Sequence, residues 1–154
     1  MEPMAAGERP KLTQVDQHTW RTDAWVTARF TVPLQKIATN NNLRLETWIE
    51  DGLGQATGCG GQLPSGVMIQ LVEFEYMVSH QWTRGPDLCA DAEDVLNCGI
   101  EKLLEEVLSV LGLSRSDVEW EHRAPTEPEV ASFKKMVNER RSRATVQHGT
   151  APSD

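Results

Sequence analysis

The sequence predicts an α+β domain of ferredoxin-like architecture, βαββαβ: a four-stranded antiparallel sheet with helices on one face, plus a C-terminal helical extension. Three observations predict it. Residues 24–32 alternate apolar and polar side chains with the period of two that a half-buried strand requires. Residues 91–111 carry an apolar stripe at helical spacing, bounded by an aspartate and a glycine. The elements between them fall in the order that two right-handed βαβ crossovers joined by a hairpin would produce.

The first strand rests on Ala24, Val26, Ala28, Phe30 and Val32, which alternate with Trp25, Thr27, Arg29 and Thr31. Pro33 ends it. Leu34, Ile37, Ala38, Asn41, Leu45, Trp48 and Ile49 then recur at helical spacing, so 34–49 reads as one helix with a poor centre at Asn40–Asn42, or as two short ones. Gly52 is placed to supply the left-handed residue after the last turn. The glycines from Gly52 to Gly66 are too dense for a helix and fit a short strand at 55–59 followed by a turn. Residues 67–78 are rich in β-formers. Val67, Ile69 and Leu71 give way to Val72, Phe74, Tyr76 and Val78, a phase change that marks a bulge or a strand covered on both faces.

Residues 79–89 read as a polar loop. Asp91 caps the strongest helix, whose stripe is Leu96, Ile100, Leu103, Leu104, Val107, Leu108 and Leu111, and Gly112 stops it. Val118, Trp120 and His122 alternate with Glu119 and Glu121 as the last strand. After a proline-containing linker, Val130, Phe133, Met136 and Val137 make a short amphipathic helix with basic residues on its other faces. The expected organisation is a flexible arm (1–20), the domain (21–124), a linker and short helix (125–143) and a disordered tail (144–154).

A chain of 154 residues suffices for one domain with a real core, and not for two. The formal net charge is −8, and between Leu43 and Arg123 acids far outnumber bases. Such a surface repels phosphate backbones, which argues against nucleic acid, and suits a basic protein partner. No apolar run approaches the roughly 20 residues that span a bilayer. The start lacks the basic and apolar segments of a secretory signal. Cys59, Cys89 and Cys98 are odd in number and show no CxxC spacing, as free thiols in a reducing cytoplasm would. The expectation is a cytoplasmic protein with no membrane segment and no cofactor.

Gly52-Leu53-Gly54-Gln55-Ala56-Thr57-Gly58, placed after the first helix and before a strand, resembles a Gly-Leu-Gly-x-x-x-Gly segment of small uncharacterised bacterial ferredoxin-like proteins. The likeness covers roughly 24–123. It implies the fold and a bacterial or phage accessory protein, and it carries no catalytic residues onto this chain.

The same glycines share the spacing of a dinucleotide fingerprint, but that motif follows a strand and opens a helix, whereas this one follows a helix and enters a hairpin. Turns and close packing explain them better. Cys59, among Gly58, Gly60 and Gly61, is a candidate nucleophile if His80 or His122 serves as its base; the alternative is a small buried side chain. Cys89, Cys98 and His80 could join Cys59 around zinc, but their spacing is not that of a structural site, so no metal is expected. Glu73 and Glu75 share one face of the long strand and read as cross-strand partners of Arg29 rather than as an acid–base pair.

The five tryptophans point to binding. Trp48 fits a helix's core side. Trp25 projects from the sheet face that carries no helices, unless the C-terminal helix covers it with Phe133 and Met136 or a second subunit does. Trp82 sits in a loop near Arg84. Exposed Trp and Arg anchor interfaces. The function expected is a non-enzymatic, immunity- or inhibitor-like protein-binding module, homodimeric or pairing with a basic partner, acting through Trp25, Arg29, Glu73, Glu75 and Trp82. The alternative is a small-molecule-binding protein or enzyme using the glycine-rich hairpin with Cys59.

Overall fold

The computed structural model describes residues 10–15, 25–50 and 52–149, with side chains described as far as 139. Its strands are β1 (Thr13–Val15), β2 (Trp25–Phe30), β3 (Glu46–Glu50), β4 (Gly54–Gln62), β5 (Met68–Phe74), β6 (Asp87–Ala90) and β7 (Val118–Glu121). Its helices are α1 (Leu34–Asn41), α2 (Glu75–Ser79), α3 (Ala92–Cys98), α4 (Ile100–Leu111) and α5 (Glu127–Gly149). All pairings are antiparallel and run β1-β4-β5-β6-β2-β7, with β3 in line with β1 along the same edge of β4.

The mixed α+β class and the antiparallel sheet agree with the sequence. The four-stranded ferredoxin-like order does not appear: the sheet has seven strands. The decisive addition is β6, which takes the end of the expected polar loop (79–89) and Ala90 and wedges between β5 and β2. Four residues, Asp87-Leu88-Cys89-Ala90, are too few to show a period, yet Leu88, Cys89 and Ala90 are all buried. A second addition comes from the expected arm, where 13–15 pair with β4; residues 1–9 and 16–20 of that arm, and 150–154 of the expected tail, lie outside the described residues.

Helix 34–49 also divides. Asn42 takes a left-handed backbone (φ 56°) and ends α1 after eight residues. The Asn41 amide then donates to Ile37 O and Leu111 O, tying the end of α1 to the end of α4. Trp48 and Ile49 therefore sit in a strand, with Trp48 opposite Ala56. The helix at 91–111 breaks at Gly99, whose φ of 88° is open to glycine and not to the flanking residues. Asp91 caps α3 by accepting from Glu93 N, and Gly112 closes α4, as the sequence implied. α5 runs past 143, to Gly149.

Cross-strand partners share a face, so the register sorts the sheet into rows. Ala28–Leu88–Leu71–Cys59 and Trp25–Ala90–Ile69–Gly61 form rows on one side. They pack with Leu34 and Ile37 of α1, Val95 of α3 and the buried stripe of α4. Arg29–Asp87–Val72–Gly58 and Val26–Cys89–Gln70–Gly60 form rows on the other side. This second side is not open across its width: Gln70, Val72 and Cys89 are buried, and so is the neighbouring Thr27.

Glu73 departs from its expected position. Next to Val72 and opposite Thr57, it faces the helices, and its Oε2 accepts from Leu34 N at 2.9 Å. It replaces the N-cap that Pro33 has no side chain to provide. Burial pushes its pKa up, and the Leu34 N–H opposes that only in part. A raised folded-state pKa means that the protonated form is favoured in the fold, so this residue's contribution is greatest below the unfolded pKa and is lost as pH rises through the folded one. Glu73→Gln, which still accepts from Leu34 N, is expected to match or exceed wild-type stability at neutral pH. Glu73→Ala is expected to lose about 1 kcal/mol through the orphaned N–H. Urea denaturation at pH 4 and pH 7 checks both.

Candidate functional site

The bulge in β2 decides where the predicted residues go. The pairing of β2 with β6 slips between Val26 and Ala28, leaving Thr27 as the extra residue. One extra residue reverses the alternation, so Trp25 lies in the row of Ala90 and Ile69, on the helix side, and not on the helix-free face. There it lines a cavity of about 370 Å³ with Pro128, Ser132, Phe133 and Met136 of α5. Trp25 thus meets the C-terminal helix on the helix side of the sheet, and not on a helix-free face that this helix covers.

Trp25 nevertheless belongs to a continuous stack of rings and cations around the β2–β7 margin. Its Nε1 donates to Arg123 O at 3.1 Å, and the Arg123 guanidinium lies 5.7 Å from its ring. His122 follows at 4.9 Å from Trp25 and 5.4 Å from Trp120. Arg29 closes the stack 5.9 Å from the Trp120 ring and is held by Asp87 through Nε–Oδ1 at 2.7 Å. Arg123 is fixed by a two-pronged contact with Glu129 at 2.6 Å on each arm. That contact, with the Thr126 N–H, lowers the Glu129 carboxyl to about 2. Ring pairs of this kind contribute about 0.5–1.5 kcal/mol beyond burial. Together these contacts link the five side chains into one connected surface.

Trp120 is the residue that sequence reasoning missed. Alternation places it with Val118 and His122 without saying which face they take; β7 is the last strand of the sheet among the described residues, and Trp120 pairs with Arg29. Its indole is 42% exposed. The visible signal was Trp120 lying between two glutamates in a strand too acidic to be central.

Of the other partner candidates, Trp82 is exposed and clusters with Tyr76 (5.9 Å, edge-on) and His80 (5.0 Å). Glu75 opens α2 and is exposed, because the expected strand stops at Phe74. The predicted set is therefore not one site: Arg29 and Trp25 join the stack, while Trp82, Glu75 and Glu73 lie elsewhere.

The cysteine chemistry finds no support. Cys59 is wholly buried in a core row, and burial, reinforced by Glu46, pushes its thiol up to about 12. His122 follows β7, four strand spacings from β4, roughly 19 Å. His80 is exposed on the Trp82 cluster, with its Nδ1 2.6 Å from Tyr76 O. Cys89 points to the opposite side of the sheet from Cys59, so the two cannot share a metal ion, and it too is pushed to about 12, first by burial and then by Asp87. Among the described residues no cluster of three His, Cys, Asp or Glu could hold a metal. With an alkylating reagent at pH 8, Cys98, the one thiol with partial exposure, is expected to react first. Cys59 and Cys89 should react only on unfolding, as mass spectrometry of labelled peptides would show.

Gly58 and Gly61 of the hairpin serve packing, and Gly54 and Gly66 supply positive φ. A Cβ on Gly58 would meet Leu71 O at 2.5 Å and the Trp48 ring at 2.9 Å, so β4 admits Trp48 only because that position is bare. No helix of the described residues is long and apolar enough to cross a membrane. No protein-family model matches the chain, and neither a curated protein nor a solved structure matches it.

Proposed function

We propose that this chain is a non-enzymatic protein-binding module, of the immunity or inhibitor type expected of a bacterial or phage accessory protein. It engages its partner at the β2–β7 margin. The observation that carries the reading is Trp120, a half-exposed indole on the terminal strand, backed by Arg29, His122, Trp25 and Arg123 in a single stack. Trp and Arg held rigid before contact lose little entropy on binding, which is how hot spots gain affinity. The acidic surface, net −8, selects a basic partner and speeds its approach. Cys59, wholly buried in the core, offers little to the enzymatic alternative.

The test is capture of host proteins on immobilised wild-type chain and on the Trp120→Ala, Arg29→Ala double variant. A partner retained by the first and lost by the second supports the reading. Equal retention by both sinks it.

A further inference from the structure

We infer that the partner at this margin contributes an extended segment that adds as an eighth strand beside β7, with lysine or arginine at alternate positions. This rests on the reading above and specifies its mode.

The backbone supplies the first argument. His122 N donates to Thr27 O, and Trp120 pairs with Arg29, so the peptide groups of His122 and Trp120 turn toward β2. Alternation along an antiparallel strand then turns the N–H and C=O of Glu119 and Glu121 outward. Among the described residues β7 is the last strand of the sheet, so groups turned away from β2 face no further strand. They are a template for strand addition.

Charge decides what fills it. Glu119 and Glu121 point to the side opposite Trp120 and are held by single exposed contacts, to Arg84 at 3.4 Å and Arg115 at 3.1 Å. A carboxylate has acceptor sites to spare beyond one such contact. A second copy of this chain is a poor occupant. Two-fold antiparallel pairing must match residues on the same face, so any register centred on Glu119, Trp120 or Glu121 sets glutamate against glutamate. Like charges directly opposite destabilise a pair. A basic segment reverses that sign: cations meet Glu119 and Glu121, and an apolar side chain between them meets Trp120. The slip between Arg29 and Phe30 kinks the start of β7 and keeps the template short, so the side chains have to supplement few backbone bonds.

The experiment uses the full chain and three capped peptides of about seven residues. One alternates lysine and valine, one has glutamate for lysine, and one is the lysine peptide N-methylated along one edge. Binding is read from tryptophan fluorescence and from amide exchange at Glu119 and Glu121. The lysine peptide is expected to bind and to slow exchange at both amides, and the other two should bind at least tenfold more weakly. Glu121→Pro removes an outward N–H without breaking a bond to β2, so it should keep the thermal transition and lose the lysine peptide. Should that variant misfold, Glu121→Lys must weaken the lysine peptide and favour the glutamate one.

Indifference to N-methylation or to lysine-for-glutamate exchange overturns the inference, as does no binding of the lysine peptide at all. A dimer in sedimentation that Glu121→Pro dissolves also overturns it, because a second copy then fills the edge. If the peptides fail while Trp120→Ala still abolishes partner capture, strand addition alone falls. If Trp120→Ala leaves capture intact as well, the binding reading falls with it.

Discussion

Replacing Gly85 with alanine is expected to destabilise the fold by about 3 kcal/mol, at the upper end of what overpacking costs. A Cβ there would lie 2.3 Å from Phe30 O and 2.4 Å from Val32 O, both backbone atoms at the end of β2. No rotamer change can relieve a backbone clash, so the loop or the strand must move. Both movements are costly. The next residue, Pro86, accepts from Phe30 N at 3.0 Å, and Phe30 is fully buried in the core. Shifting the loop would draw β6 away from β2 and open the row of Ala28 and Leu88. For a chain of this length the loss corresponds to a fall in melting temperature of roughly 10 °C. A variant within about 1 kcal/mol of wild type by urea denaturation would show that this loop does not pin β6.

Trp120→Ala is expected to weaken partner binding by about 2 kcal/mol, roughly thirtyfold, with little loss of stability. The indole is half exposed, so removing it leaves no deep cavity in the core. Its absence would, however, leave the Arg29 guanidinium without the ring beneath it and His122 stacked on one side only. Trp82→Ala is the informative contrast, since that ring is more exposed still and clusters with Tyr76 and His80 outside the stack. It should change binding by less than threefold. Isothermal titration with the captured partner separates the two, and the reverse ranking would move the interface to the Trp82 cluster.

Much of the fold was legible because periodicity reports burial. The stripe of α4 names its buried face, the alternation of β2 does so only for Ala28 and Phe30 beyond the bulge, and Asp91 and Gly112 mark ends through their backbone chemistry. What was illegible shares one cause, the small size of the feature that changes the phase. Thr27 fits either face of a sheet, so the bulge that turns Trp25 to the helix side leaves no trace in hydropathy. β6 is shorter than two periods. Asn42 and Gly99 are visible as helix breakers, but only their positive φ values in the fold turned one helix into a helix and a strand and another into two helices. The candidate site divided the same way. Arg29 could be named because an arginine on a strand next to tryptophan is conspicuous. Trp120 could not, because its exposure depends on β7 being the last strand, and strand order is a long-range property that local pattern does not encode.

Amide hydrogen exchange of the chain alone and in complex with its captured partner tests the central claim most directly. The β2–β7 margin predicts slowed exchange across 118–122, strongest at the outward amides of Glu119 and Glu121, with 76–82 unchanged. Slowed exchange confined to 76–82, with 118–122 exchanging as in the free chain, would contradict it.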